Sequence, residues 1–155
     1  MRIWAISNEV FEDAFNLLCG ERIGVGVSRE VFVCTLIPGW VVKVETDQSV
    51  HQNILEWEVW KDVMDTSASR WFAECKWISP NGMILIQERT RPPGDAELLP
   101  RVPIWFTDIK RANWGMAKTN GRKEYLVCHD YGVNNIMHYG VRSKRMKKAV
   151  WTDNH

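Results

Sequence analysis

The chain has 155 residues, of which 20 are Lys or Arg and 19 are Asp or Glu, so its formal net charge at pH 7 is +1. Its length fits one domain with its own core or two small lobes that share one, and 45% hydrophobic residues with 25% charged residues is ordinary for a globular protein. No apolar run approaches the roughly 20 residues of a membrane span, and the N-terminus lacks the build of a signal peptide, so we expect a cytoplasmic protein with no membrane contact.

Two residue counts bear on packing. The cysteines are scattered with no C-x-x-C pair, which predicts buried free thiols rather than a zinc site or a disulfide framework. They are Cys19, Cys34, Cys75 and Cys128. The nine tryptophans predict core packing, because Trp buries a large area. The alternative is a face that binds a partner, since Trp is enriched at interface hot spots.

The first third of the chain predicts a helix followed by three antiparallel strands. Residues 8–19 have the apolar spacing of an amphipathic helix. Residues 21–45 alternate and are rich in β-branched side chains, with turns at 24–28 and at Pro38-Gly39. Lys43 lies among valines on the third predicted strand, where a lysine is costly to bury without an anion. Lys43 is therefore expected to have an anionic partner.

A second helix is predicted over residues 51–64. Its apolar stripe comprises Ile54, Leu55, Val59, Trp60, Val63 and Met64. Glu56 falls within this stripe and Glu58 outside it, so Glu56 is predicted to face inward and Glu58 to face water. Glu56 is thus the candidate for an ion pair with Lys43. The alternative is two unrelated surface charges.

Residues 70–88 predict a second hairpin that turns at Asn81-Gly82. Beyond it, Asp108 follows Arg91 by only 17 positions, and the residues between them include four prolines, at 92, 93, 100 and 103. Prolines at this density exclude a long helix. An irregular segment is therefore expected before Asp108.

The stretch from Trp105 to Gly132 contains oxygen-bearing side chains of the kind that Mg²⁺ prefers. They are Asp108, Asn113 and Asp130. A hairpin is predicted between the last two, with a strand at 113–117, a tip at Thr119-Asn120-Gly121 and a return strand at 124–129. Since the strands are antiparallel, Asn113 and Asp130 are expected to emerge at the same end of this hairpin.

These residues carry a resemblance to protein kinases. The run Asp108-Ile109-Lys110-Arg111-Ala112-Asn113 is similar to the kinase catalytic loop, D-[LI]-K-x-x-N, and Asp130-Tyr131-Gly132 is similar to D-F-G. A rival alignment begins the catalytic loop at His129 and ends it at Asn135. It is rejected because residues 137–140 contain no acid that could supply the second metal ligand.

The earlier segments add three further kinase-like features in the same order. Gly24 and Gly26 resemble the first two glycines of the glycine-rich loop, Lys43 resembles the lysine of V-A-I-K, and Glu56 resembles the helix glutamate that holds this lysine. The resemblance covers residues from about 20 to 132 and is strongest to compact kinase-like proteins of bacteriophages.

The resemblance implies an α+β protein-kinase-like fold with an antiparallel five-stranded small lobe plus one helix and a much reduced large lobe. It implies a single domain, with the small lobe at about 1–90, the reduced large lobe at 91–140 and a basic tail at 141–155. A reduced lobe that leaves Trp faces uncovered would favour a homodimer or a bound partner.

The resemblance also implies ATP and Mg²⁺ as cofactors. Gly24 and Gly26 would cover the phosphates, while Lys43, held by Glu56, would draw the α- and β-phosphates into place. The metal ligands would be Asn113 and Asp130.

The same loop implies the catalytic groups. Lys110 would offset charge on the transferred phosphoryl group, and Asp108 would orient or deprotonate the acceptor hydroxyl. A lysine two residues after the aspartate is the arrangement of serine/threonine kinases, which favours a protein substrate.

Three positions depart from the kinase pattern. Arg29 replaces the third glycine, and Phe106 and Thr107 stand where kinases have His-Arg. Without that arginine, control by activation-loop phosphorylation is not expected. The reduced large lobe, Arg29 at the third glycine position and the abundant Trp keep open a second interpretation, in which the chain is a kinase-like binding protein, such as a pseudokinase or an inhibitor, that acts on a host protein.

The C-terminal segment is strongly basic. It contains Arg142, Lys144, Arg145, Lys147 and Lys148 with no acid between 141 and 151. The remainder of the chain has 15 basic against 19 acidic residues, a net charge of −4, whereas these five contribute +5. A solvated tail or helix face is the simple interpretation. The alternative is contact with nucleic acid or an acidic protein surface.

Overall fold

The chain folds into two compact α+β units. A computed structural model describes residues 8–47, 49–107, 109–118 and 123–153. The first unit contains the described residues up to Ile54 together with Cys75–Arg89, and the second contains Leu55–Glu74 and the described residues from Thr90 onward.

The first unit is built on a five-stranded antiparallel sheet. Its strands are β1 (Cys19–Val25), β2 (Arg29–Cys34), β3 (Trp40–Glu45), β4 (Cys75–Ile78) and β5 (Ile84–Glu88), in the order β1-β2-β3-β5-β4. Helix α1 (Asn8–Leu18) precedes the sheet, and helix α2 (Gln52–Val63) lies between β3 and β4 in the chain and continues into the second unit. The predicted α+β class and five-stranded antiparallel sheet are confirmed.

Apolar packing and two glycine turns explain this sheet. One face covers a buried cluster around Cys19, Cys34, Val42 and Ile84, against which Phe15 of α1 packs through an edge-to-face contact with Phe32 at 5.3 Å. The turns before β3 and β5 place Gly39 and Gly82 at φ of 88° and 75°, a region that glycine enters without steric cost.

The cysteines are free and buried, as predicted. Cys19 and Cys34 are partners across the β1–β2 ladder. Burial, and then the proximity of Cys34, raises the pKa of the Cys19 thiol to about 11. Because the thiolate is the reactive form, Cys19 is a packing residue.

The second unit has short elements. Strand β6 (Arg101–Pro103) pairs with β9 (Met146–Lys148), strand β7 (Trp114–Ala117) pairs with β8 (Tyr125–Cys128), and helix α3 (Ile136–Tyr139) has a single turn. Isolated bridges join segments that are distant in sequence: Phe72 with Cys128, Arg91 with Met116, and Lys110 with Thr152. The second unit is therefore held together by backbone pairing between short segments, without long helices or strands among its described residues.

Six aromatic rings form the centre of the second unit. This aromatic cluster comprises Phe72, Trp105, Phe106, Trp114, Tyr131 and Trp151, with neighbouring ring centroids 4.7–6.4 Å apart. Such offset and edge-to-face pairs contribute beyond the area they bury. Four of the tryptophans, including Trp71, thus have packing roles, whereas Trp77 of β4 is partly exposed.

The structure differs from the sequence predictions in three places. The buried face of α2 begins with the polar residues Asn53 and Glu56, while Ile54, Leu55 and Met64 of the predicted stripe are exposed. Residues 67–71 form a 3₁₀ turn, so the fourth strand begins only at Cys75. The basic segment forms strand β9 rather than a free tail or helix. Hydrophobic periodicity did not predict these three features, because strand pairing and the burial of polar side chains outweigh the local sequence pattern.

In the part of the chain that the structure describes, every helix is too short or too polar to cross a bilayer. The predicted hairpin tip, Thr119-Asn120-Gly121, lies outside the described residues.

Candidate functional site

The glycine turn between β1 and β2 is compact and sterically open. Gly24 pairs with Val31 across the two strands, and the Gly26 N–H donates to the Arg29 carbonyl at 2.7 Å. A Cβ added at Gly26 would meet only this carbonyl oxygen, at an ordinary contact distance of 3.6 Å. The fold itself therefore does not require glycine at position 26.

Arg29, which replaces the third glycine of the kinase pattern, has a structural role. Its side chain is buried, and its guanidinium donates to Asn53 Oδ1 at 3.2 Å. Asn53 is the second residue of α2. Arg29 thereby ties the strand after the glycine turn to the first turn of the helix, a role that the sequence pattern did not indicate.

Asn53 is the centre of a buried polar network with Arg29 and Glu45. Its backbone N–H donates to the Glu45 carboxylate at 2.5 Å, and its Nδ2 donates to the carbonyls of Lys43 and Met83 at 3.0 and 3.1 Å. A carboxylate at a helix N-terminus is favourable because the first N–H groups lack intrahelical partners. The network fixes the start of α2 against β3.

Lys43 lies on the central strand of the sheet. It pairs with Val31 of β2 and Leu85 of β5 and is only 4% exposed. Burying an ammonium group is unfavourable unless an anion compensates it. The placement therefore agrees with the expectation of an anionic partner.

Glu56 is fully buried on α2, three residues after Asn53 and on the same helix face. Glu58 instead has 58% of its side chain exposed and pairs with Lys61 at 2.9 Å. Glu56 thus points inward and Glu58 points to solvent, as the sequence predicted. The apolar stripe on which that prediction was based, however, differs from the face of α2 that is buried. The ion pair between Glu56 and Lys43 stays a prediction.

The β7–β8 hairpin sets the position of the predicted metal ligands. Trp114 pairs with Cys128 in its register, and the His129 N–H donates to the Asn113 carbonyl at 2.8 Å. Asp130 follows His129 directly. Asn113 and Asp130 therefore lie at the same end of the hairpin, as expected, with Asn113 half-buried and Asp130 exposed.

His129 holds this end of the hairpin together, a role that sequence reasoning missed. Its Nδ1 lies 2.8 Å from Thr90 Oγ1, and its Nε2 lies 2.8 Å from the Ala112 carbonyl. Since a carbonyl only accepts, Nε2 carries the proton. Gly115 makes room for this arrangement, because a Cβ there would lie 2.2 Å from Thr90 Oγ1.

Tyr131 anchors the chain just after Asp130. It is fully buried, its hydroxyl donates to the Ala73 carbonyl at 2.8 Å, and its ring meets Phe72 edge to face at 4.9 Å. A tyrosine in this D-Y-G run thus has both its ring and its hydroxyl used by the fold. Its fixed position restricts the backbone of Asp130.

The predicted catalytic residue Asp108 lies outside the described residues. The buried side chains of Phe106 and Ile109 stand two positions before it and one position after it. Phe106, at the position of the kinase His, packs on Trp114 at 4.7 Å. Apolar packing thus supports the flanks of this loop.

The C-terminal segment contacts the same loop through its backbone. Thr152 N–H donates to the Ile109 carbonyl at 3.2 Å and the Thr152 carbonyl accepts from Arg111 N–H at 2.9 Å, on either side of Lys110, which is half-buried. Trp151 adds a hydrogen bond from Nε1 to the Leu99 carbonyl at 2.9 Å. No sequence signal marked Thr152 as a neighbour of the loop.

The predicted metal ligands among the described residues are Asn113 and Asp130. Among the described residues, which omit Asp108, no group of three or more His, Cys, Asp or Glu side chains is placed to hold a metal ion. Asn113 and Asp130 form an amide and carboxylate pair, and this chemistry suits Mg²⁺, which takes one or two protein oxygens and completes its shell with phosphate and water.

No protein-family model and no curated protein sequence matches the chain. Solved structures similar to part of it include two of the aminoglycoside phosphotransferase APH(2'')-IIa, one in a ternary complex with streptomycin and ATP and one with gentamicin. Their TM-scores are 0.41 and 0.43 at 18% sequence identity, and the match covers 57% of this chain. The chain spans only 30% of the length of these phosphotransferases, which have a protein-kinase-like fold.

Proposed function

We propose that this chain binds ATP with Mg²⁺ and transfers a phosphoryl group to a hydroxyl acceptor, in the manner of a serine/threonine protein kinase. The observation that carries the proposal is the β7–β8 register, which brings Asn113 beside His129 and so to the same hairpin end as Asp130. The buried Lys43 and Glu56 support it, because a fold rarely buries two such groups without pairing them.

The first unit would supply phosphate contacts. Gly24 and Gly26 would let backbone N–H groups approach the phosphates, since neither carries a side chain. Lys43 would contribute positive charge to the α- and β-phosphates, and Glu56 would hold its ammonium group. The polar network around Asn53 would keep α2, and hence Glu56, in place.

The second unit would hold the metal and the acceptor. Asn113 Oδ1 and the Asp130 carboxylate would bind Mg²⁺, which when bound neutralises phosphate charge. Asp108 would accept the proton of the acceptor hydroxyl as that oxygen attacks phosphorus, and Lys110 would stabilise the charge on the transferred group. The buried Phe106 and the Thr152 bridge would hold this loop in place of a polar His-Arg pair.

The test is transfer of label from [γ-³²P]ATP with Mg²⁺ to a panel of acceptors that includes basic and acidic proteins, gentamicin and streptomycin. Asp108→Ala is expected to lower the rate by about 10²–10⁴-fold, the usual contribution of a positioned general base. Asp130→Asn is expected to abolish labelling. Asp62→Asn, the same change at an exposed aspartate of α2, serves as the matched control and should label as the parent does.

Nucleotide binding is tested separately with Gly26→Ala. Because a Cβ is accommodated there, the variant should unfold at the parent's temperature but bind ATP more weakly. Unchanged ATP affinity, measured by titration calorimetry, would exclude a phosphate contact at this turn.

A second candidate is a kinase-like binding protein that acts on a host protein partner. The replacement of the kinase His by the buried Phe106 favours it. This candidate predicts ATP binding that Gly26→Ala weakens, without labelling of any acceptor. Retained ATP binding with no labelling of any acceptor by the parent would exclude the enzyme and leave only this candidate.

The remaining sequence predictions are part of the proposal. They are a protein acceptor, a cytoplasmic location, a bacteriophage origin and a homodimer. Light scattering on the purified chain would test the homodimer directly, with a mass near twice 18.1 kDa expected.

A further inference from the structure

Strands β6 and β9 pair with each other, and together they bring basic residues of the predicted C-terminal tail next to Arg101. The set comprises Arg101 of β6 and Arg142, Lys144, Arg145, Lys147 and Lys148 in or just before β9. We call these residues and the two strands the basic ribbon. Lys147 is half-buried, and the other five are exposed.

Two of these cations are fixed side by side. Arg101 is the cross-strand partner of Lys148. The backbone bonds from Ala149 N–H to the Pro100 carbonyl and from Ile104 N–H to the Arg145 carbonyl make this a non-hydrogen-bonded pair, in which Cβ atoms lie about 4.5–5.5 Å apart. Like charges directly opposite each other are destabilising.

The part of the chain seen in the structure does not neutralise this charge. None of the six side chains forms an ion pair with a described Asp or Glu. Arg101 donates to the Met146 carbonyl at 3.3 Å, and the Arg145 guanidinium lies 5.5 Å from the centre of the Tyr139 ring. His138, next to it, is exposed and contacts the same ring.

We propose that the basic ribbon binds the phosphate backbone of a single-stranded nucleic acid. The ribbon offers several exposed cations, and one of them, Arg145, lies near the Tyr139 ring that His138 also contacts. Cations together with aromatic rings are the combination that binds single strands by charge and base stacking. A stable protein partner would need about 800 Å² on each side with an apolar centre, which a ribbon of two three-residue strands does not offer. This proposal does not depend on phosphoryl transfer.

Deleting the basic segment would not test the proposal. Strand β9 leads directly to Trp151 and Thr152, which bond to Leu99 and to the loop at 109–111. A chain lacking 141–155 would lose these contacts together with the charges. Neutralising substitutions at exposed positions separate charge from folding.

The experiment measures fluorescence anisotropy of a labelled 20-nucleotide oligo(dT) titrated with the full chain between 50 and 300 mM salt. For each phosphate contact on a single strand, log K falls with log salt by about 0.7. Arg101→Gln with Lys148→Gln should therefore make the slope shallower by about 1.4 and weaken binding about 25-fold at 0.1 M salt. Arg101→Lys with Lys148→Arg should retain both.

The matched control removes two positive charges outside the ribbon, at Arg22 and Lys61, each also by Gln. It should bind as the parent does, and all variants should unfold at a similar temperature. Failure of the parent to bind at 50 mM salt, or an equal loss in the control pair, would overturn the proposal. Preferential binding of poly-glutamate over oligo(dT) would also overturn it, in favour of an acidic protein partner.

Discussion

The two units solve the same problem, holding a charged or polar side chain in place, by different means. In the first unit, a five-stranded sheet adjoins a polar network in which Asn53 bonds to Glu45, Arg29 and two carbonyls. In the second unit, short strands and isolated bridges surround an aromatic cluster, and Phe106 and Tyr131 of that cluster flank the candidate loop and Asp130.

The difference shows which stabilising contacts are directional. A buried polar network depends on each donor and acceptor, because an unsatisfied group costs free energy that packing does not return. An aromatic cluster depends on filled volume, since a removed ring leaves a cavity. Substitutions that remove volume should therefore act mainly on the second unit, and those that remove hydrogen bonds mainly on the first.

The largest effect is expected from Trp114→Ala. Trp114 is almost fully buried and packs on both Phe106 and Trp151, so the variant should lose about 3–5 kcal/mol of unfolding free energy, the range for large aromatic truncations. Denaturant titration would measure it. Trp77→Ala, at the partly exposed tryptophan of β4, is the control and should lose less than half as much. Equal losses would mean that the aromatic cluster contributes no more to the free energy of unfolding than an isolated, partly exposed tryptophan does.

A smaller loss is expected from Asn53→Ala. It removes the hydrogen bonds from Asn53 to the Lys43 and Met83 carbonyls and the bond that Asn53 accepts from Arg29, and losing these bonds in a buried network costs about 2–3 kcal/mol in total. The same titration would detect it, with Glu58→Ala on the exposed face of α2 as the control within about 0.5 kcal/mol of the parent. If Asn53→Ala behaves like the control, the network does not stabilise the first unit.

Gly115→Ala tests close backbone approach in the second unit. The added Cβ would overlap Thr90 Oγ1 and Cβ, at 2.2 and 2.4 Å, so Thr90 must move away from His129, at a cost of about 1–3 kcal/mol. Gly94→Ala, whose Cβ would meet only Glu97 Oε1 at 3.4 Å, should be neutral or slightly stabilising. If Gly115→Ala leaves the free energy of unfolding unchanged, β7 can move away from residues 90 and 91 without cost.

The smallest effect concerns an exposed ion pair. Arg91 binds Glu97 through two bonds, at 2.6 and 2.9 Å, and these bonds, with one from Gly94 N–H, lower the pKa of the Glu97 carboxyl to about 2. A depressed carboxyl pKa stabilises the fold above the unfolded pKa of about 4.3, and this contribution is lost as the pH falls toward 2.

The difference in Tm between the parent and Glu97→Gln should therefore be constant above pH 5 and shrink between pH 4.5 and 2. High salt should reduce it throughout, because these side chains are partly exposed. A difference that does not change with pH would mean that the carboxylate charge of Glu97 is not responsible for it.

The sequence predicted the first unit well because its strands are regular. Valine-rich alternation and the turns at Gly39 and Gly82 located β2, β3 and β5 within a few residues. The inward direction of Glu56 was also correct, but Asn53 was missed, because a buried asparagine at a helix start has no hydrophobic period to reveal it. Nor did any pattern mark Arg29 as a link to α2.

The second unit was less accessible to sequence reasoning. The β7–β8 hairpin was predicted from its turn and alternation, and with it the shared end for Asn113 and Asp130. The bridges of Arg91 to Met116 and Lys110 to Thr152 were not, since such pairings involve one or two residues and leave no periodic signal. The pairing of β6 with β9 was missed for the same reason.

The packing of Phe106 next to the candidate loop has a consequence for the conditions that would loosen it. A phenyl ring has no proton to lose and no charge to screen, so buffer pH and ionic strength act only indirectly on this support. Hydrostatic pressure and temperature act directly on packed apolar volume. Pressure-dependent NMR of the Phe106 and Trp114 ring signals would therefore detect movement at this position that acid or salt titrations leave invisible.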